Sequence, residues 1–302
     1  MGQKANQTSV RLALKNTSWS SEYIENVNSD STINVFQDVN IRKYLYRFFI
    51  IHGLVLVNCF INRYKKNLDF FISYFITSNF SKLLKFRLKN NLRYSNKRLR
   101  KKRVLKILKK KKFFILEKIK RKKVCKNIKF ISKLLSSLNL FLKKKYKIQI
   151  IFQVLNKSLS FRLKNKEAFH FRKIITKLRF YSRSNFFSES INILLLFIKK
   201  KSMVKLLSNF ISVKLSILKK HNFFLTFIKR SLLLLLKSKY SLVKGLKIRI
   251  NGRFNGAARS KTRVFQINTI PLQTLDANVQ YYQSISYTNN GTFGVKLWVY
   301  TY

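Results

Sequence analysis

Acidic residues are nearly missing from this chain. It has 9 Asp+Glu against 65 Lys+Arg in 302 residues, for a formal net charge of +56. Such an excess repels itself unless a polyanion neutralises it. Nucleic acid is the first candidate, because each phosphate contact releases condensed counterions. An anionic membrane surface is the second. The shortage of carboxylates also excludes chemistry. Between residues 39 and 275 the only acids are Asp69, Glu117, Glu167 and Glu189, none next to another. General acid–base work commonly uses a positioned carboxylate pair, and two-metal cleavage needs a cluster. A maturase or nuclease is therefore a weak rival to a binding protein.

Other residue types are scarce too. There are 7 Gly, 1 Pro and 2 Cys. No Walker loop, dinucleotide fingerprint or nucleophile elbow occurs. Gly252-x-x-x-Gly256 lacks the Gly-Lys-Ser/Thr ending and reads as turn chemistry. Cys59 and Cys125 form no metal-ligand spacing with His52, His170 and His221, so neither a metal nor a cofactor is expected. They read as buried thiols. No uninterrupted apolar run approaches about 18 residues, so no membrane span is expected. A basic protein lying on a membrane surface stays open as a second rival.

What the chain has in quantity is Lys, Asn, Ile and Phe, with 46% hydrophobic and 15% aromatic residues. A disordered basic tail lacks the apolar residues for a core, and this chain does not. The favoured residues have A/T-rich codons and the depleted ones G/C-rich codons. That bias suggests an organelle genome. The first residues carry neither a myristoylation signal nor an Arg-rich presequence, which predicts synthesis inside the organelle.

The pattern along the chain divides it. Residues 1–40 are polar and read as an extended arm. Residues 41–61 show a helical pattern, then Leu54–Val57 as a buried strand. Residues 82–145 hold 27 Lys+Arg and one acid, Glu117. Leu99, Val104, Leu105, Ile107 and Leu108 are spaced there to allow a basic amphipathic helix. It reads either as an extension that folds on RNA or as a tolerated low-complexity insert. Further on, Lys147–Val154 and Ile191–Ile198 read as strands, and Lys166–Leu178, Met203–Leu218 and Phe223–Tyr240 as helices. The end alternates clearly: Leu246, Ile248 and Ile250 interleave with Lys247, Arg249 and Asn251, and Val295–Tyr300 repeats the pattern. Trp298 reads as packing. Pro271 predicts a turn or strand start. These elements make an α+β protein.

Three blocks carry a resemblance. Gly245-Leu-Lys-Ile-Arg-Ile-Asn-Gly-Arg-Phe-Asn-Gly-Ala-Ala-Arg-Ser-Lys-Thr-Arg263, Ile270-Pro-Leu-Gln-Thr-Leu-Asp-Ala-Asn278 and Gly291-Thr-Phe-Gly-Val-Lys-Leu-Trp-Val-Tyr300 resemble, in order and spacing, the universal small-subunit ribosomal protein number three family. Met1-Gly-Gln-Lys4, Arg11-Leu12 and Ile41-Arg-Lys-Tyr-Leu45 resemble its opening. The match is strong over 1–57 and 203–302 and weak between. The resemblance implies a split type II KH-like domain plus a small C-terminal α+β domain, with an extended N-terminal arm and a long basic insertion. The boundaries it suggests are an arm at 1–40, the first KH-like part at 41–61, the insertion at 62–145, the KH-like remainder at 146–221 and the C-terminal domain at 222–302.

It also implies a role: a non-catalytic constituent of an organellar small-subunit head, mitochondrial rather than plastid. The partners would be small-subunit rRNA, mRNA and neighbouring head ribosomal proteins. Gln3, Lys4, Arg11, Arg249, Arg253, Arg259, Lys261 and Arg263 are then expected at rRNA. Lys220, Lys229 and Arg230 are expected to line the channel through which mRNA enters. Two departures stand out. Arg162-Leu-Lys-Asn165 sits where the KH Gly-x-x-Gly loop is expected and has neither glycine, so a KH fold without the usual backbone grip is predicted. Leu225 and Thr226 stand where the family usually has an arginine pair.

Overall fold

The computed structural model describes residues 6–11, 19–25, 27, 29–64, 67–77, 130–143, 145–155, 165–199 and 203–301. Most of the basic insertion, Gln3, Lys4, Cys125, Glu117 and residues 162–164 lie outside them. The chain forms two compact units: residues 20–153, and residues 1–19 with 154–302.

The first unit holds β1 (Ser21–Glu22), α1 (Asp30–Ile51), β2 (Leu54–Tyr64), β3 (Asn67–Ile76), α2 (residues 130–141) and β4 (Lys147–Val154). The sheet order is β1-β2-β3-β4, with β1 parallel and β3 antiparallel to β2. α1 begins at Asp30, well inside the expected arm. It buries Ile41, Leu45 and Phe49 at helical spacing. Gly53, at φ 69°, donates its N–H to the Ile50 carbonyl and closes the helix where a side chain would be strained. β2 carries a bulge between Leu56 and Asn58. One extra residue switches its parity, so Leu54 and Leu56 point inward before it, and Cys59, Ile61 and Arg63 after it. Leu134, Leu138 and Leu142 close this core, i to i+4 along α2 and its end. Thus 67–76 and 130–141, inside the span read as insertion, are parts of this folded unit.

Arg63 is turned into that unit and does not sit there alone. Asp38 of α1 makes an ion pair with its Nη2, and Asn34 and Gln37 accept from its Nη1 at 3.0 and 2.9 Å. A buried cation is stable only when paired and hydrogen-bonded.

The second unit holds α3 (Asn165–Lys177), α4 (Phe187–Lys199), α5 (Val204–Ile217), α6 (His221–Leu236), β5 (Val243–Gly252), β6 (Lys261–Ile267), β7 (Val279–Thr288) and β8 (Gly291–Thr301). α4 corrects the expected strand at Ile191–Ile198. All of Ile193–Ile198 is buried, so the segment shows no polar face by which period could tell helix from strand. The sheet is antiparallel in the order β6-β5-β8-β7. α5 lies across β7 and β8, with the Ser208 and Ser284 hydroxyls 2.7 Å apart at the contact. Since β6 and β7 are opposite edges, residues 268–278, with Pro271, must cross a sheet face. They pass over Gly245, where an added Cβ would stand 2.7 Å from the Thr269 carbonyl oxygen. α3, which starts at Asn165, belongs to this second unit, as do the helices to 217. The segment 154–221 is therefore placed with the C-terminal sheet, against the boundary expected at 221/222.

Candidate nucleic-acid interface

Register fixes which cations share a face. Arg249 of β5 lies directly opposite Lys296 of β8 and Val264 of β6. Lys247 lies opposite Trp298 on the same face, its Nζ 5.9 Å from the ring centroid. Two like charges paired across strands repel, so Arg249 and Lys296 weaken the sheet they sit on. No ion pair among the described residues relieves either one. The open end of this face also bears Val264, Ile285 and Tyr287, the last 75% exposed.

The second feature is the tip where the β5–β6 and β7–β8 turns meet. Gly252, Arg253, Ala258, Arg259, Ser260, Asn289, Asn290, Gly291 and Thr292 surround an open concavity of about 930 Å³. Two guanidiniums, side-chain amides and hydroxyls line it, and no carboxylate does. Arg forks and amide donors match phosphate oxygens. Arg253 and Arg259 are exposed, and no described ion pair reaches them.

The tip is braced from within. Asn255, at φ 54°, accepts from the His221 backbone N–H at 2.8 Å through its Oδ1, and its own N–H donates to His221 Nδ1 at 3.1 Å. His221 Nε2, 3.1 Å from the Leu215 carbonyl oxygen, is then the ring donor. The start of α6 and the arginine turn are thereby joined.

The remaining expected site residues scatter. Lys261 is exposed at the start of β6, opposite Gly252. Arg263 is half-buried on the face away from Arg249, its guanidinium 4.5 Å from the Phe254 ring centroid. The five C-terminal cations are thus not one patch. Arg11 corrects its expectation. It is 3% exposed, and its Nη2 donates to the Leu272 and Thr274 carbonyls at 2.8 and 2.7 Å. Its Nη1 donates to Gln7. It pins the arm to the crossover rather than facing outward. Lys220, Lys229 and Arg230 are exposed, the last two on the outer side of α6 with Thr226, while Leu225 is core. Sequence reasoning missed Lys296, although the alternation Val295-Lys296-Leu297 put it on the Arg249 face. It also missed Asn289 and Asn290, which stand out only once the two turns are brought together.

Besides Asp38, two more of the scarce acids are engaged within the second unit. Glu167 holds Lys199 at 2.7 Å and Glu189 holds Lys214 at 2.8 Å. Among the described residues no three His, Cys, Asp or Glu side chains gather as a metal site, and no helix is long and apolar enough to cross a membrane.

Comparison with known proteins fits these features. Residues 225–299 match the family described as ribosomal protein S3, C-terminal domain. The chain is similar to the small ribosomal subunit protein uS3 of Neorickettsia sennetsu, 36% identical over 83 residues, 28% of this chain and 38% of that one. It is similar to uS3c of Euglena gracilis, 34% identical over 74 residues, 24% and 34% of the two chains. It is also similar to uS3 of Aquifex pyrophilus, 42% identical over 57 residues, 19% and 25% of the two. These matches span between 25% and 38% of the relatives' length.

Proposed function

We propose, from a chain that carries the C-terminal domain of ribosomal protein S3, that it is a non-catalytic structural constituent of the small ribosomal subunit and binds its rRNA. The observation that carries this is the uncompensated charge of the C-terminal sheet. From residue 190 to the end the one acid is Asp276, while Arg249 and Lys296 face each other across strands. A partner rich in phosphate turns that internal repulsion into binding energy. Arg253, Arg259 and Lys261 at the tip, and Arg249 with Lys296 on the open face, are the contacts we assign to rRNA backbone. Gln3 and Lys4 extend the set into the arm. Such contacts position the protein without reading sequence.

On the same reading, Lys220, Lys229 and Arg230 border the mRNA path. Thr226 in their midst leaves a lining with less charge than the family's arginine pair would give. On this reading the unit of residues 20–153 is the KH-like domain, the insertion lies between β3 and α2, and residues 162–165, expected as the KH loop, fall outside that unit. The subunit would sit in an organelle. We propose the mitochondrion as that organelle; the codon bias supports an organelle genome of either kind.

The test is sedimentation of organelle lysate through a magnesium-containing sucrose gradient, with this chain followed by mass spectrometry. Stoichiometric migration with small-subunit rRNA through a moderate-salt wash supports the reading. Migration at the top, or with membranes lacking rRNA, overturns it.

A further inference from the structure

α1 is apolar on two sides. One side buries Ile41, Leu45 and Phe49 in its own unit. The other exposes Val35, Phe36, Val39, Tyr46 and Ile50, with Phe36 66% and Ile50 50% open. At 100° per residue these fall on one arc, and they run about 22 Å along the helix at 1.5 Å per residue. A surface helix ordinarily carries polar residues there. Contiguous exposed apolar stripes of this kind mark interaction sites.

We infer that this stripe docks a neighbouring protein whose apolar surface is edged by carboxylates. Lys43 and Arg47 are exposed and line one side of the stripe, about 80° and about 120° round the helix from Val35. No exposed acid shares the arc, because Asp38 is turned inward to Arg63. The stripe is thus apolar with a positive edge, and its complement is apolar with an edge of carboxylates. RNA fits it poorly: Lys43 and Arg47 offer two phosphate contacts in all, and the two stacking planes, Phe36 and Tyr46, stand ten residues apart among Val35, Val39 and Ile50. A second copy does not fit it, because Lys43 and Arg47 would meet their own kind on a chain of net charge +56. This inference rests on the ribosomal reading above and adds to it the partner class and the surface.

The full-length chain, carrying a photoreactive benzophenone amino acid in place of Val39, is assembled into small subunits in organelle extract. Crosslinked peptides and nucleotides are then mapped. The expected result is one dominant adduct, on a single protein, at a segment holding both apolar and acidic residues. Lys43→Glu with Arg47→Glu lowers that adduct about tenfold while the chain still sediments with rRNA. Adducts on rRNA, on a second copy, on residues 78–129 of the same chain, or spread over many proteins overturn the inference. So does a dominant adduct indifferent to the charge reversals. Loss of co-sedimentation in the unsubstituted chain is a failure of the ribosomal reading instead, and is read separately on the gradient.

Discussion

Arg63 and Arg249 are the same residue type with opposite fates. Arg63 sits inside the first unit, where Asp38, Asn34 and Gln37 engage it. Arg249 sits on the C-terminal sheet, where its cross-strand neighbour is another cation, Lys296. What separates them is the supply of counter-charge. Nine acids cannot neutralise sixty-five cations. Asp38, Glu167 and Glu189 pair with Arg63, Lys199 and Lys214 and stiffen the folded units. Of the other cations, Arg11 is held by backbone carbonyls, and those that face outward are the ones we assign to the interface.

The largest effect expected from breaking this contrast is on the inward side. Asp38→Ala strands a buried guanidinium and should destabilise the first unit by about 3–5 kcal/mol. Loss of α-helical signal on thermal unfolding measures it. Asp38→Leu with Arg63→Met removes both charges and should recover much of that loss. If the single variant melts with the parent protein, the pair is not what holds α1 to β2.

On the outward side, Arg253→Glu with Arg259→Glu should leave the melting temperature within experimental error. It should weaken rRNA-fragment binding between about tenfold and a hundredfold, and flatten the log–log salt slope by about two phosphate contacts. A binding loss that does not change with salt would place the tip away from phosphate. The brace behind the tip gives a smaller effect, on stability. Asn255→Ala loses the acceptor for His221 N–H and strains a left-handed backbone, at about 1–2 kcal/mol. Asn255→Gly loses only the acceptor and should cost less. Equal losses from the two variants would remove backbone strain from the account.

The two regions were also unequally legible. The C-terminal sheet has strict alternation, so Leu246, Ile248 and Ile250 told face and period at once, and the order of its motif blocks told family. The first unit hides its period. β2 changes parity at its bulge, so no single alternation runs from Leu54 to Arg63. α1 starts in Asp-Ser-Thr-Ile-Asn-Val, residues of middling helix propensity, and its docking to the sheet overrides that preference. α4 is buried all round, and a uniformly apolar stretch carries no phase. Charge counting pointed to a polyanionic partner but not to the site. Arg11 and Arg249 look alike in sequence, and only the crossover over Gly245 shows that Arg11 has backbone carbonyls to hold.

The finest test asks whether the like-charge pair is itself the sign of function. Lys296→Glu places a carboxylate opposite Arg249, in a register that already joins the two residues. Cross-strand charge pairs contribute about 0.2–1 kcal/mol, so the protein without RNA should become slightly more stable, read as a small rise in melting temperature. The same change removes a positive charge from the open face and adds a negative one, so rRNA binding should weaken, most at low salt. Stability and binding then move in opposite directions from one substitution. An ordinary structural lysine would lose both or neither, since it would have no repulsion to relieve. Opposed signs would mean that this sheet keeps an unfavourable pair on its surface because rRNA supplies the missing counter-charge.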